Sequence, residues 1–329
     1  MVEAIRKTLR DSKTARWTAL AVVAFTMLCG YYLADVMAPL KPLLESQKHW
    51  TSTEYGFFTS AYGWFNVFLL MLILGGIILD KMGVRFTGMM AAIIMVIGTA
   101  IKYYAISTHS LDGATLFGWK AQVMVAGLGY AIFGVGVEIA GITVSKIIVK
   151  WFKGKEMALA MGLEMATARM GTALALSTSA PLAEAMKDVS VPILVCLIML
   201  CIGLIAFFIY TFMDKKLDAS IAKDNEGQKV QEEEEFKLSD IRVIFTNKGW
   251  WYIAILCVLF YSAVFPFLKY AADLMVNKFG VKESLAGLIP SLLPFGTIIL
   301  TPTFGNLYDR RGKGASIMIL GALLQHAIC

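Results

Sequence analysis

Eight continuous apolar runs, at about residues 17–40, 55–79, 86–106, 121–145, 156–180, 190–213, 250–275 and 285–307, dominate this chain. Each is near or above the roughly 20 residues that a helix needs to cross a bilayer. With 58% hydrophobic and 16% charged residues among 329, the chain is too apolar for a soluble domain. The expected fold is an all-α integral membrane protein whose solvent is lipid. A ninth run starts at Ala315 and reaches Cys329 after too few residues to cross, so the chain reads as truncated.

Lys and Arg are divided unequally between the turns, and the richer side is expected to face the cytoplasm. Arg6, Arg10 and Arg16 around the start of span one, Lys146 to Lys155 after span four, and Arg310 to Lys313 after span eight fall on that side. The opposite side holds fewer, among them Lys41, Lys102 and Lys282. The N-terminus is placed in the cytoplasm, and the net charge of +6 is a topology signal rather than a sign of nucleic-acid binding. The first apolar run is too long, and its approach too charged, for a cleaved signal peptide.

One long polar stretch, 214–248, interrupts the spans and contains Glu232 to Glu235 in a row. Few apolar residues precede Phe236, so it reads as a solvated cytoplasmic tether, with 236–245 able to form a short surface helix with one apolar face. The expected division is 1–213 as a six-helix bundle, 214–248 as linker and 249–329 as the start of a second bundle. Cys29, Cys196, Cys201, Cys257 and Cys329 lie inside apolar runs and read as packing residues.

An Asp, Lys or Arg at a helix centre costs about 2.5–3.5 kcal/mol even on lenient insertion scales, so each one inside a span needs a reason. Asp35 lies on span one behind Tyr31 and Tyr32, Glu138 is mid-span four and Arg169 is mid-span five. A buried ion pair that fixes helix packing is one reading. The favoured reading has a carboxylate and a guanidinium face one central cavity and hold the two ends of a zwitterion, Arg being suited to a bidentate carboxylate contact. Tyr31 and Tyr32 are further candidates for its lining. Glu164 is five residues from Arg169, roughly 140° around the helix, and is expected to face another neighbour. Lys269 and Asp273, one turn apart, read as a local pair near the membrane edge. The glycines of span four, among them Gly129, Gly134 and Gly136, are expected to let helices approach closely.

His49, His109 and His326 show no metal-ligand arrangement, and no GxSxG, P-loop or HExxH is present. Enzymatic catalysis, metals and cofactors are not expected. Energy for any work must come from gradients or from the solute.

The phrase Gly76-Ile-Ile-Leu-Asp80-Lys81-Met-Gly83-Val-Arg85 returns as Gly305-Asn-Leu-Tyr-Asp309-Arg310-Arg311-Gly312-Lys313. Both copies follow an apolar run, which points to two related bundles that move against each other. On these two phrases the chain resembles the major facilitator superfamily. Phe133-Gly-Val-Gly136-Val-Glu138, Trp151-Phe-Lys-Gly-Lys155-Glu156, Ala168-Arg169-Met-Gly171 and Ala263-Val-Phe-Pro266-Phe are similar to the branch that contains the lysosomal dipeptide transporter. That resemblance implies a six-helix N-terminal bundle followed by an incomplete C-terminal one, dipeptide binding at Glu138 and Arg169 with Asp35 as the branch's acidic residue on span one, and gating by Asp80, Lys81, Arg85, Asp309 and Arg310.

Both gate aspartates sit near the carbonyl-bearing end of their helices and need a positive partner. By superfamily symmetry Asp309 is aimed at 154–157 with Lys155 and acts as a latch, whereas Asp80 is left with local partners such as Arg85. Tyr130 stands where many members carry an arginine linked to proton coupling, so coupling stays open. Ser179-Ala180-Pro181-Leu182 does not match the antiporter signature, and Lys269 and Glu164 replace uncharged residues of the branch. The N-terminus lacks an acidic dileucine signal, which favours a bacterial-type inner membrane. The expected function is a monomeric carrier of small zwitterionic or anionic solutes, dipeptides first. A carrier of organic anions or sugar acids that uses Arg169 alone, and a transporter-like sensor that binds without flux, are the alternatives.

Overall fold

The computed structural model describes residues 9–224 and 238–311, with 316, 318–321 and 323. It is built from helices α1 (Lys13–Asp35), α2 (Lys41–Lys48), α3 (Ser52–Ser60), α4 (Trp64–Phe68), α5 (Met71–Ser107), α6 (Ala121–Phe152), α7 (Met157–Met186), α8 (Val191–Asp224), α9 (Leu238–Thr246), α10 (Lys248–Phe279) and α11 (Leu288–Arg311). A two-residue β-hairpin pairs Thr115–Leu116 with Trp119–Lys120 between α5 and α6.

The helix starts follow local chemistry. Ser12 accepts from the Ala15 N–H at 3.3 Å to open α1. At α3, Thr51 and Glu54 satisfy each other's backbone N–H groups in a capping box. Asn247 caps α10 by accepting from the Gly249 N–H at 2.8 Å.

Six helical stretches among the described residues are long and apolar enough to cross a membrane: 13–35, 71–107, 121–152, 191–222, 248–279 and 283–300. The eight expected spans relate to these as follows. The stretch Met71–Ser107 is not one continuous rod: two helices meet at a kink at Gly83, at φ 77 and ψ 174, so spans two and three are separate helices as expected. That region is essentially open to glycine alone, which explains the glycine inside the repeated phrase. The first half of span two is not one helix either. It is divided into α3, a 3-10 turn at Ala61–Gly63 and α4, and the chain then passes Leu70 at φ 52. α7 has 30 residues, but Glu164, Arg169 and Glu184 dilute its apolar run.

α1 lies at the centre of the first bundle and packs on α6, α7 and α8, with Ala19, Val23, Cys29 and Leu33 fully buried. α5 and α6 approach closest through glycine. A Cβ on Gly129 would stand 2.6 Å from the Lys102 nitrogen and 2.7 Å from the Gly98 oxygen, and one on Gly136 would stand 2.8 Å from the Met95 nitrogen. Such distances admit no side chain, as the small-residue reading of span four requires. Cys29 and Cys196 are buried as expected, but Cys257 is exposed on α10, and Cys329 lies outside the described residues.

The polar stretch expected from residue 214 begins as helix, since α8 continues to Asp224. Asp214 is fully buried there: Lys150 holds it at 2.8 Å, Arg85 at 3.1 Å, and Tyr210 donates to it at 3.1 Å. Asp218, one turn on, accepts from Lys150 at 2.7 Å. A carboxylate with this many partners belongs to the bundle, not to a solvated tether. The acidic run Glu232 to Glu235 lies outside the described residues.

α10 and α11 meet the first bundle at the end that carries α2, α3 and the turn before α11. Tyr55 donates to the Lys269 carbonyl at 3.2 Å, Lys41 pairs with Asp273 at 2.8 Å, and Lys282 pairs with Glu184 at 3.2 Å. Gly287 of the turn rests on the Leu176 carbonyl of α7. The local Lys269–Asp273 pair is not formed, because each residue finds an opposite charge across this contact. Lys41, expected in a solvated turn, is 1% exposed for the same reason. Lys102, also expected near a turn, is 0% exposed within α5.

Candidate functional site

A cavity of about 490 Å³ lies between the first bundle and α10. Asp35 and Tyr31 come from α1, Tyr62 from the turn after α3, Glu138 and Tyr130 from α6, Arg169 from α7, and Lys269 with Pro266 from α10. Four of the five expected site residues thus share one space: Tyr31, Asp35, Glu138 and Arg169.

Tyr32 does not. It is 5% exposed and its hydroxyl lies 2.9 Å from Thr178 Oγ1, inside the α1–α7 contact. Neighbouring residues of a helix point about 100° apart, so Tyr31 and Tyr32 cannot both face one cavity, whereas Tyr31 and Asp35, four apart, can.

Asp35, Glu138 and Arg169 do not pair with one another among the described residues. Asp35 pairs with Lys269 at 2.7 Å and accepts from the Thr172 hydroxyl at 2.8 Å. Glu138 accepts from Tyr62 at 2.6 Å. Arg169 makes no ion pair among the described residues and instead lies over the Tyr31 ring, 5.8 Å from its centroid. A guanidinium on a cavity wall with an aromatic face beneath it, and no carboxylate of its own, keeps its fork available for an incoming anion. Glu164 is buried away from the cavity without a hydrogen bond or ion pair among the described residues, in keeping with the helical offset from Arg169.

Lys269 was missed as a cavity residue. Its ammonium donates to the Ala34 carbonyl at 2.5 Å, to Asp35 at 2.7 Å and to the Tyr130 hydroxyl at 3.3 Å, so all three N–H bonds end on the first bundle. The signal available in sequence was Asp35 itself, a membrane carboxylate in need of a cation.

At the gate phrase, Asp80 pairs with Lys146 of α6 at 2.9 Å rather than with Arg85. Arg85 turns to Asp214 and Asp218 of α8. Lys81 is exposed. Lys155, the expected partner of Asp309, is paired with Asp11. The side chains of Asp309 and Arg310 lie outside the description, although their backbone is helical at the end of α11.

Comparison with known proteins extends this geometry. The profile of the Major Facilitator Superfamily matches residues 20–326. The chain belongs to the Major Facilitator Superfamily. Membership agrees with the resemblance read from the two gate phrases, and makes this a multi-pass membrane protein and not an enzyme.

Within the superfamily, the chain is 25% identical over 308 residues to the lysosomal dipeptide transporter MFSD1 of Homo sapiens, which covers 91% of the chain and 62% of the relative. MFSD1 of Danio rerio is 24% identical over 330 residues, covering 94% and 66%. The chain therefore spans less than two thirds of the length of these relatives. Among solved structures, a partially occluded inward open conformation of the xylose transporter XylE from E. coli matches with TM-score 0.65 at 13% identity, over 91% of this chain and 74% of that one. The tetrameric PepTSo2 matches with TM-score 0.56 at 13% identity, over 89% and 71%. These two likenesses support the superfamily fold.

Proposed function

We propose that the protein is a carrier of small zwitterionic or anionic solutes, dipeptides first, working by alternating access. The observation that carries this reading is Arg169, a cavity guanidinium without a carboxylate partner among the described residues, sharing the same 490 Å³ space with Glu138. In the proposed mode Arg169 takes the solute carboxylate and Glu138 its ammonium, while Tyr31 and Asp35 complete the wall. The cavity falls within the roughly 300–1,000 Å³ typical of small-molecule sites. The similarity to MFSD1 supports dipeptides as the first solutes to test.

The moving parts in this reading are the first bundle, which extends along α8 to Asp224, and the second bundle, which begins with α10, joined by the stretch between them. With the N-terminus in the cytoplasm of a cell membrane, the contacts of Tyr55, Lys41 and Glu184 with α10 and the turn after it close the outer end. Asp80, Lys81 and Arg85, with Asp309 and Arg310, act at the inner end.

Glu138 is already held by Tyr62 at 2.6 Å, which favours a second reading in which Glu138 only packs and Arg169 alone anchors an organic anion or sugar acid. Uptake of labelled dipeptides into proteoliposomes that contain the full-length protein separates the two. Dipeptide uptake supports the first reading and sugar-acid uptake alone supports the second. Binding without flux of either contradicts a carrier. Repeating the assay with and without a proton gradient tests coupling.

A further inference from the structure

Lys102 is a second base in the membrane part of the fold that lacks a carboxylate among the described residues, and unlike Arg169 it lines no cavity. It is fully buried in α5, and no carboxylate contacts it among the described residues. Its Nζ donates to the Leu33 carbonyl at 3.5 Å and lies 4.8 Å from the Tyr130 ring centroid and 5.8 Å from that of Phe58. A basic side chain buried in a bilayer without an anion calls for a partner.

The nearest source of one is already on the page. Lys269 lies over the same Tyr130 ring at 6.0 Å and holds the Ala34 carbonyl, next in sequence to Leu33. Two lysines, one from α5 and one from α10, therefore flank the end of α1 where Asp35 sits. In this structure Lys269 holds the Asp35 carboxylate, at 2.7 Å.

We propose that Lys102 is the second partner of Asp35, taking over its carboxylate when α10 withdraws Lys269. The inference rests on the alternating-access reading, because it concerns the state in which the outer end opens. Removing one member of a buried pair is strongly destabilising, since the remaining charge is left without compensation. If α10 moved away and nothing replaced Lys269, Asp35 would keep only the Thr172 hydroxyl. Lys102 belongs to α5, which is packed in the same bundle as α1, and its contact with the Leu33 carbonyl does not depend on α10. A transfer from Lys269 to Lys102 preserves one ion pair in each state. Two states close in free energy are what a carrier needs in order to visit both. In this role Lys102 is a positioning residue that touches no solute.

The test uses full-length protein in liposomes, with spin labels on Ser46→Cys and Lys278→Cys, two exposed positions on either side of the outer contact. Lys102→Met is expected to lower the fraction of molecules with the long distance at least tenfold. The same change should raise the thermal midpoint, because the closed state loses a buried group without an anion. Lys102→Arg should restore opening. So should the double variant Asp35→Asn with Lys102→Met, which leaves no carboxylate to strand. Opening of Lys102→Met at the wild-type level, or a double variant as closed as the single one, overturns the proposal. Uptake of labelled dialanine by the wild type is measured in parallel. Loss of dialanine uptake with Lys102-dependent opening intact faults the solute assignment and not the exchange, whereas normal uptake with Lys102-independent opening faults the exchange alone.

Discussion

Tyr62 donates its hydroxyl hydrogen to Glu138 Oε1 at 2.6 Å across 76 residues of sequence. The bond ties the turn after α3 to the middle of α6 and fixes one oxygen of a cavity carboxylate. The backbones also meet here, since a Cβ on Gly134 would contact the Tyr62 carbonyl.

If Glu138 receives the solute ammonium, Tyr62→Phe loosens the carboxylate that must receive it. A hydrogen bond to a charged group contributes about 1.5–3 kcal/mol, so dipeptide affinity is expected to fall by about tenfold or somewhat more. Binding of a sugar acid, which has no ammonium, should be unchanged. Titration calorimetry on the purified variant reads both. Unchanged dipeptide affinity would assign Glu138 to packing.

Asp214 and Asp218 offer an internal comparison, because they share Lys150 and Arg85 but differ in burial. Asp214 has a side chain 0% exposed, and that of Asp218 is 42% exposed. Asp214→Ala removes the anion from a buried network that includes Tyr210 and Trp151, at an expected cost of about 3 kcal/mol. Asp218→Ala should cost about 1 kcal/mol or less, as exposed pairs do. Thermal unfolding in detergent should place the first variant well below the second. Equal midpoints would show that the network does not stabilise this end of the bundle.

Much of this architecture was legible in advance because lipid leaves few choices. Long apolar runs must be helices, and the turn expected between the runs ending at 79 and starting at 86 is where the chain breaks at Gly83. Asp35, Glu138 and Arg169 were visible as costly charges, and they do line one cavity. Their partners were not visible, since pairing depends on contacts across hundreds of residues. Lys269 was read against Asp273 on its own helix, while its ammonium reaches Asp35 on α1, 234 residues away. Lys102 reads as one of the charges of the outer side because it lies near the end of the run 86–106, although it is fully buried within α5. Tyr32 was a geometric misreading that helical periodicity alone could have prevented.

Glu54 gives a pH-dependent test outside the spans. Burial pushes its carboxyl up, but the Thr51 N–H and the Lys120 ammonium outweigh that and hold it below the usual carboxylate range. A carboxyl lowered on folding stabilises above its unfolded pKa and loses that contribution as pH falls through the lowered folded value. Wild type should therefore melt above Glu54→Gln at neutral pH, with the gap shrinking as the pH drops below the ordinary carboxylate pKa of about 4.3. A gap independent of pH would mean that the α3 cap and the Lys120 pair contribute nothing through charge.

The central claim is that Arg169 anchors the solute carboxylate. Its most direct measurement is initial-rate uptake of labelled dialanine into proteoliposomes by wild type and Arg169→Ala, with membrane insertion checked for both. Loss of a charge-assisted contact of about 1.5–3 kcal/mol predicts uptake reduced by at least about tenfold, and to background where the anchor is required for loading, while insertion stays intact. Saturable dialanine uptake by Arg169→Ala at the wild-type rate would contradict the account and leave Arg169 a structural residue.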